Sequence, residues 1–224
     1  MTIHYDFVWP AVDFEAVSKY KDLPAERELF LDGTLFDKVN NQISFIANGY
    51  SRTVSITSTD IDNSAVTFTV TGIQNGVPVS EDITGADVNA TAFGTLAFDV
   101  ITSITADVLA QNFAVGTGLE GWFPIIKLDL SVHTYMIQCA FQGVFVLPDV
   151  ETLMYQIYTT LAEIPKLGRT YDDLLENTTY LIISGGDVIE PGFFTLSPLR
   201  NYYLVKVTGT VPENSLELLY SQVR

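Results

Sequence analysis

Thiols and imidazoles are nearly missing from this chain of 224 residues, which has one cysteine, Cys139, and two histidines, His4 and His133. A lone cysteine excludes an intrachain disulfide and any cysteine-cluster metal site. Basic side chains are also scarce: 11 Lys+Arg stand against 27 Asp+Glu, for a net charge of −16. Between Arg52 and Lys127 there is no base, but there are eight acids: Asp60, Asp62, Glu81, Asp82, Asp87, Asp99, Asp107 and Glu120. Nucleic acid and anionic membranes are therefore poor partners, because both need clustered Lys and Arg. No apolar run approaches the roughly 20 residues of a membrane span. The start, Met1 to Asp6, lacks the basic and apolar regions of a signal peptide. These absences lead to the expectation of a soluble protein made in a reducing cytoplasm.

What is present is apolar and aromatic. Hydrophobic residues make up 47% and aromatic residues 12% of the chain, against 17% charged, which is not the composition of a disordered acidic tail. A chain this long can bury roughly 70% of its unfolded surface. The periodicity is mostly two. Val66, Phe68 and Val70 alternate with Thr67, Thr69 and Thr71, a strand with one apolar and one hydroxyl face. Asn75-Gly76 follows and predicts a tight hairpin to a strand over 77–84. Residues 53–59 and 98–104 alternate as well, the latter with Asp99, Ile101 and Ser103 opposite Phe98, Val100, Thr102 and Ile104. Gly116-Thr117-Gly118 and Glu120-Gly121 then break the pattern. Strands are expected over 122–132, 133–147, 152–160, 179–184, 202–208 and 215–222, from their β-branched and aromatic content. Thr170–Glu176 is a candidate helix, and residues 11–22 are ambiguous.

The expected fold class is all-β. It comprises one or two antiparallel β-sandwich modules, Ig-like or jelly-roll-like, with at most one or two short helices. The expected domains are an N-terminal arm over 1–29, a β-sandwich over 30–118 and a second β-rich module over 119–224 with an insertion at about 161–192.

No active site is legible. His133 and Cys139 are six residues apart on one strand, about 20 Å, too far to pair within it. Asp60-Ile61-Asp62-Asn63 lacks the glycine and terminal glutamate of a calcium loop and reads as a turn. Asp172, Asp173 and Glu176 fit a helix start as well as a weak cation site. Gly116–Gly121 satisfies G-x-G-x-x-G, but no helix follows it, so the dinucleotide reading fails. No catalytic, cofactor-binding or metal-binding residue is assigned. Candidate interaction residues are Phe7, Trp9 and Phe14 in the arm and Tyr202 and Tyr203 near the end. The arm could dock on a partner or add a strand to the protein's own core.

Several stretches together carry a resemblance. They are Arg52–Thr59 (RTVSITST), Ala65–Gly72 (AVTFTVTG), Asn75–Gly85 (NGVPVSEDITG), Asp99–Ala106 (DVITSITA) and Val115–Gly118 (VGTG). This order resembles a recurrent β module of uncharacterised structural proteins of tailed bacteriophages, in which a TITS…ITFTVTG…NGNAVTETITG stretch leads to a VTSI strand and a VGTG exit. Pro78 and Asp82 depart from that pattern. More loosely, Gly121–Pro124 and Pro198–Arg200 resemble the same proteins. The resemblance covers roughly half the chain and implies a virion component rather than an enzyme. The expected role is an auxiliary subunit, a capsid decoration or a head–tail or tail component, acting through contacts with other virion subunits and forming homo-oligomers. The alternative is a carbohydrate- or receptor-binding module of a tail fibre or baseplate, with Trp122, Tyr155, Tyr158, Tyr202 and Tyr203 as a stacking platform. A glycan-cleaving enzyme would need a carboxylate pair that the sequence does not single out.

Overall fold

The computed structural model describes residues 4–24, 27–124, 126–127, 134–141, 154–160, 170–171, 181–187, 192–196, 202–208 and 216–223. Among these the strands run in chain order as β1 (His4–Trp9), β2 (Ser18–Leu23), β3 (Phe36–Asp37), β4 (Gln42–Ser44), β5 (Ser51–Ser58) and β6 (Thr67–Gln74). They continue as β7 (Val77–Thr84), β8 (Thr91–Phe93), β9 (Val100–Ala106), β10 (Ala110–Trp122), β11 (Ile126–Lys127) and β12 (Thr134–Phe141). The last are β13 (Met154–Thr160), β14 (Leu181–Asp187), β15 (Gly192–Leu196), β16 (Tyr202–Thr208) and β17 (Leu216–Val223). The fold is all-β and antiparallel, with a β-sandwich. One short 3-10 turn, Ile46–Asn48, ends on Gly49 in the left-handed conformation. The chain forms two compact units, one of residues 12–121 with 167–170 and one of residues 1–11, 122–166 and 171–224.

The first unit is the better described. Its five-stranded sheet has the order β3-β4-β9-β6-β7, and the facing layer has β10 between β5 and β2, with β8 on β5. Bonds from Thr59, Ser55 and Thr53 reach Asn112, Thr117 and Glu120 in turn, so β5 and β10 run in opposite directions. The rings of Phe68 on β6 and Phe113 on β10 meet at 4.8 Å between the layers. Phe45, Phe98, Ile43, Ile56 and Ile101 are fully buried with them. Burying each such side chain contributes about 1.5–3 kcal/mol. Phe68, Val70 and Gln74 point inward, as the alternation predicts, and Thr69 and Thr71 face outward against Asp82 and Ser80 of β7. Asn75 (φ 47°) and Gly76 (φ 78°) are both left-handed, the geometry that makes Asn-Gly the preferred two-residue hairpin turn.

Three expectations change in this unit. The glycines of 116–118 do not interrupt the chain, since β10 runs through them for 13 residues. Glycine is there for close approach: a Cβ on Gly116 would lie 2.2 Å from the Asp13 carbonyl, and one on Gly118 would lie 2.2 Å from Thr53 Oγ1. The strict alternation over 98–104 fails because β9 bulges opposite the Thr71/Gly72 step of β6. Ile101 and Ile104 are therefore both buried, Thr102 is turned out, and Asp99 is buried too. Residues 11–22 resolve into a turn held by Asp13, whose Oδ1 accepts from the Glu15 N–H at 2.9 Å, followed by β2.

In the second unit one sheet has the order β1-β17-β12-β15. Strands β13, β14, β16 and β11 form a further ladder, with β13 between β14 and β16 and β11 on β16. β1 pairs with β17 from His4↔Ser221 to Trp9↔Leu216. Residues 1–29 therefore contain two ladder strands, one in each unit. The boundary near the middle of the chain falls at Gly121/Trp122, a few residues beyond the expected 118/119. The candidate helix over 170–176 is described only at Thr170 and Tyr171, where Tyr171 is helical. Most of the expected insertion at 161–192 lies outside the described residues.

Candidate functional site

The residues singled out in the sequence are not brought together. Trp9 is fully buried, its ring edge-on to Phe123 at 5.8 Å and 72°, so it belongs to the core of its own unit. Phe7 lies in β1 opposite Leu218. Phe14 is partly exposed, in the turn before β2. Tyr202 and Tyr203 open β16, opposite Thr160 and Thr159 on one side and Lys127 and Ile126 on the other. Trp122 is buried and stacks on Tyr171 at 5.1 Å, with Lys206 Nζ 5.9 Å from its ring centre, so its faces are engaged. Cys139 lies in β12 opposite Leu218 and Gly192. His133, Asp172, Asp173 and Glu176 lie outside the described residues. Among the described residues no group of three or more His, Cys, Asp or Glu is placed to hold a metal ion.

A different feature emerges at one end of the first unit. The β5–β6 loop, the β7–β8 loop, the β9–β10 loop and the end of β2 all meet there. Asn63 is the hub. Its side chain is buried; Nδ2 donates to Ser58 Oγ at 3.0 Å and to the Gln111 carbonyl at 2.9 Å, and Oδ1 accepts from the Gln111 N–H at 3.0 Å. Its own N–H reaches the Ala86 carbonyl at 2.9 Å. Side chain and backbone of this one residue thus tie the β5–β6 loop to the start of β10 and to the β7–β8 loop. Asn112 adds a second tie, donating from Nδ2 to the Thr59 carbonyl at 2.6 Å and from its N–H to Asp22 at 2.9 Å. Asp60 (φ 61°), Asn89 (φ 54°) and Asn112 (φ 46°) take the left-handed conformation that Asn and Asp tolerate best.

These tied loops hold aliphatic side chains in solvent. Ile61 is 38% exposed, Val88 46%, Val108 45% and Leu109 54%. A loop pinned by a buried asparagine has no slack with which to tuck them away. Three of them sit next to a carboxylate in sequence, in Asp60-Ile61-Asp62, Asp87-Val88 and Asp107-Val108, and Leu109 follows Val108. The carboxylates also brace the loops. Asp62 accepts from the Ser64 N–H at 2.8 Å, Asp87 from the Val88 N–H at 2.6 Å and Asp107 from the Thr67 N–H at 2.8 Å. Hydrogen bonds from Ser64 hold Asp62 below the usual carboxylate range, and the Thr67 N–H does the same for Asp107. Both are therefore ionised near neutral pH. The end of the unit is thus a rigid, negatively charged surface dotted with aliphatic groups. Such a surface can bind a partner that offers apolar and positively charged groups.

The sequence held a signal for this surface. β-branched and leucine side chains are unusual inside Asp/Asn turns, where Gly, Ser and Pro dominate. Their repetition after aspartate in three separate loops breaks the local rule that loops are polar. The turn expected at Asp60–Asn63 is where Asp60 and Asp62 are exposed, and Asp87 and Asp107 are exposed in the neighbouring loops. Asp99 is not exposed.

At the opposite end of the same unit, Asp99 is only 7% exposed. It accepts from the Ser51 hydroxyl and, at 2.6 Å, from the Asn75 N–H, anchoring the Asn75-Gly76 turn. Burial pushes its carboxyl up, against the opposing effect of those two bonds. Arg52 is also fully buried, with Nε donating to the Gly118 carbonyl at 2.9 Å, and burial brings its pKa down to about 10. It stays charged at neutral pH.

Comparison with known proteins returned no match to a family model, to a curated protein or to a solved structure.

Proposed function

We propose that the protein is an auxiliary structural subunit of a tailed-phage particle, a capsid decoration or a head–tail or tail component. It acts by binding other subunits rather than by catalysis. The observation that carries this reading is the loop end of the first unit, where three hydrogen-bonded loops keep four aliphatic side chains in water. Exposed apolar groups on a rigid frame are a liability for a solitary protein and an asset for one that is covered on assembly. The resemblance of the stretch from Arg52 to Gly118 to a β module of phage structural proteins supports the same reading. The charge of −16 would keep such a subunit soluble before assembly and would suit a position away from packaged DNA.

The test is the content of particles produced from the genome that encodes the chain. Gradient-purified particles should hold the protein at a fixed copy number by quantitative mass spectrometry. A shell position with repeated copies would give on the order of a hundred, and a neck or tail ring about six or twelve. Absence from washed particles would overturn the reading.

A further inference from the structure

We propose that the loop end of the first unit docks a protein segment in which Lys or Arg side chains flank aliphatic ones. The proposal rests on the reading of the chain as an assembly subunit and names the chemistry of its partner. The aliphatic part follows from exposure. Ile61, Val88, Val108 and Leu109 are between 38% and 54% exposed on loops that Asn63 and Asn112 hold together. Covering them with other apolar groups gains about 25 cal/mol for each Å² removed from water. The basic part follows from charge. Asp60, Asp62, Asp87 and Asp107 lie in the same loops as those side chains, and these loops contain no Lys or Arg. Beside them β2 brings Asp22 and Lys21, the latter paired with Asp32 at 2.7 Å, and Arg27 precedes Glu28, which bridges to Thr105. An apolar partner of neutral or negative surface would leave these carboxylates partly desolvated without compensation, whereas Lys or Arg at the rim pairs with them.

The same charges select against the competing occupants. A second copy docked loop end to loop end would bring like charges face to face. An anionic membrane or a nucleic acid would be repelled. The surface is also preorganised: the loops spend hydrogen bonds on one another, so little loop order remains to be lost on binding.

The experiment uses the full-length chain, isotopically labelled for NMR, with a short peptide of alternating leucine and lysine as the probe. Two control peptides carry Glu for Lys or Ser for Leu. The expected result is shift changes confined to residues 60–62, 87–89 and 107–109. Affinity should fall about tenfold or more when salt is raised from about 50 to 500 mM, and by a similar factor for each control peptide. A combined Ile61→Ser, Val88→Ser, Val108→Ser and Leu109→Ser variant should lose the same factor. So should a combined Asp60→Asn, Asp62→Asn, Asp87→Asn and Asp107→Asn variant, in which each side chain keeps an acceptor oxygen for its loop. Shift changes elsewhere, equal binding of the Glu peptide, or unchanged binding by the serine variant would each overturn the proposal. So would sedimentation showing a self-dimer that the serine variant abolishes. Copy number in particles separates the two readings: a protein present in particles whose loops ignore the probe keeps its assembly role and loses this partner. A protein absent from particles whose loops bind the probe keeps the docking surface and loses the phage role.

Discussion

The two ends of the first unit are built from the same kinds of residue and put them to opposite uses. At the hairpin end a buried aspartate, Asp99, accepts from the Ser51 hydroxyl and the Asn75 N–H and closes a two-residue turn. At the loop end a buried asparagine, Asn63, ties its loop to Ser58 and to the start of β10 through its side chain and to the β7–β8 loop through its N–H. Both are polar side chains that satisfy backbone groups that burial would otherwise orphan. The difference lies in what surrounds them. Tyr50 and Phe45 are buried with ring centres 6.0 Å apart, and Ser51 and Gln74 are buried near the turn. The loop end leaves Ile61, Val88, Val108 and Leu109 in water. The hairpin end exposes one such side chain, Ile46, at 40%, beside the Asp99 carbonyl that accepts from its N–H. The ends thus differ in how many aliphatic side chains they expose, one against four.

Substitutions at the two hubs should have the largest effects and should separate the ends. Asn63→Ala removes the partner of the Gln111 N–H and carbonyl, and should cost about 3 kcal/mol in chemical denaturation. It should also loosen the loops and weaken docking. Asp99→Ala should cost about 2 kcal/mol, because the Asn75 N–H and the Ser51 hydroxyl lose their acceptor. Its docking should be unchanged. A docking defect in the Asp99 variant that matches the Asn63 one would erase the distinction between the ends.

A pH titration of stability should sharpen the contrast next, because the two ends carry opposite signs. Burial raises the Asp99 pKa in the folded state above its ordinary value. The folded protein then binds that proton more tightly than the unfolded chain. Its contribution to stability is greatest below the ordinary aspartate pKa and declines as pH rises through the raised one. Asp62 and Asp107 are lowered, so their contribution is present above the ordinary value and is lost as pH falls through the lowered one. Asp99→Asn should flatten the first slope and leave the second. In that variant the amide oxygen, placed where Oδ2 now lies, accepts from the Asn75 N–H, and Nδ2, placed where Oδ1 now lies, donates to the Ser51 oxygen. An unchanged stability–pH profile in the Asn variant would contradict the assignment.

Much of this unit was legible in the sequence, for reasons that differ by element. The β6–β7 hairpin was, because Asn-Gly between alternating runs has one cheap conformation, with both residues at positive φ. β10 was not, because Gly116 and Gly118 read as punctuation. Only the structure shows that the backbone at Asp13 and the side chain of Thr53 fill the space where a Cβ would be. The bulge in β9 shifted one face of that strand by a residue, which no local pattern announces, and it placed Asp99 inside. For β1 the sequence left a docking arm and a strand of the protein's own core equally open, because its partner, β17, lies more than 200 residues away. The candidate interaction residues were chosen for their aromatic character. Aromatic rings favour the core as much as an interface, and Trp9 went to the core. The loop aliphatics carry a weaker signal, three Asp-aliphatic pairs in separate turns, which gains meaning only when the fold brings the turns together.

The smallest effect on stability is expected from the loop aliphatics themselves. Single substitutions of Ile61, Val88, Val108 or Leu109 to Ser should each cost less than about 1 kcal/mol, since about half of each residue's surface is already in water. The combined serine variant therefore tests the central claim most directly when it is expressed in place of the natural chain during particle assembly. The claim predicts a thermal midpoint close to that of the natural protein and loss of the protein from gradient-purified particles. Incorporation at the natural copy number, with the four aliphatic groups gone, would contradict it.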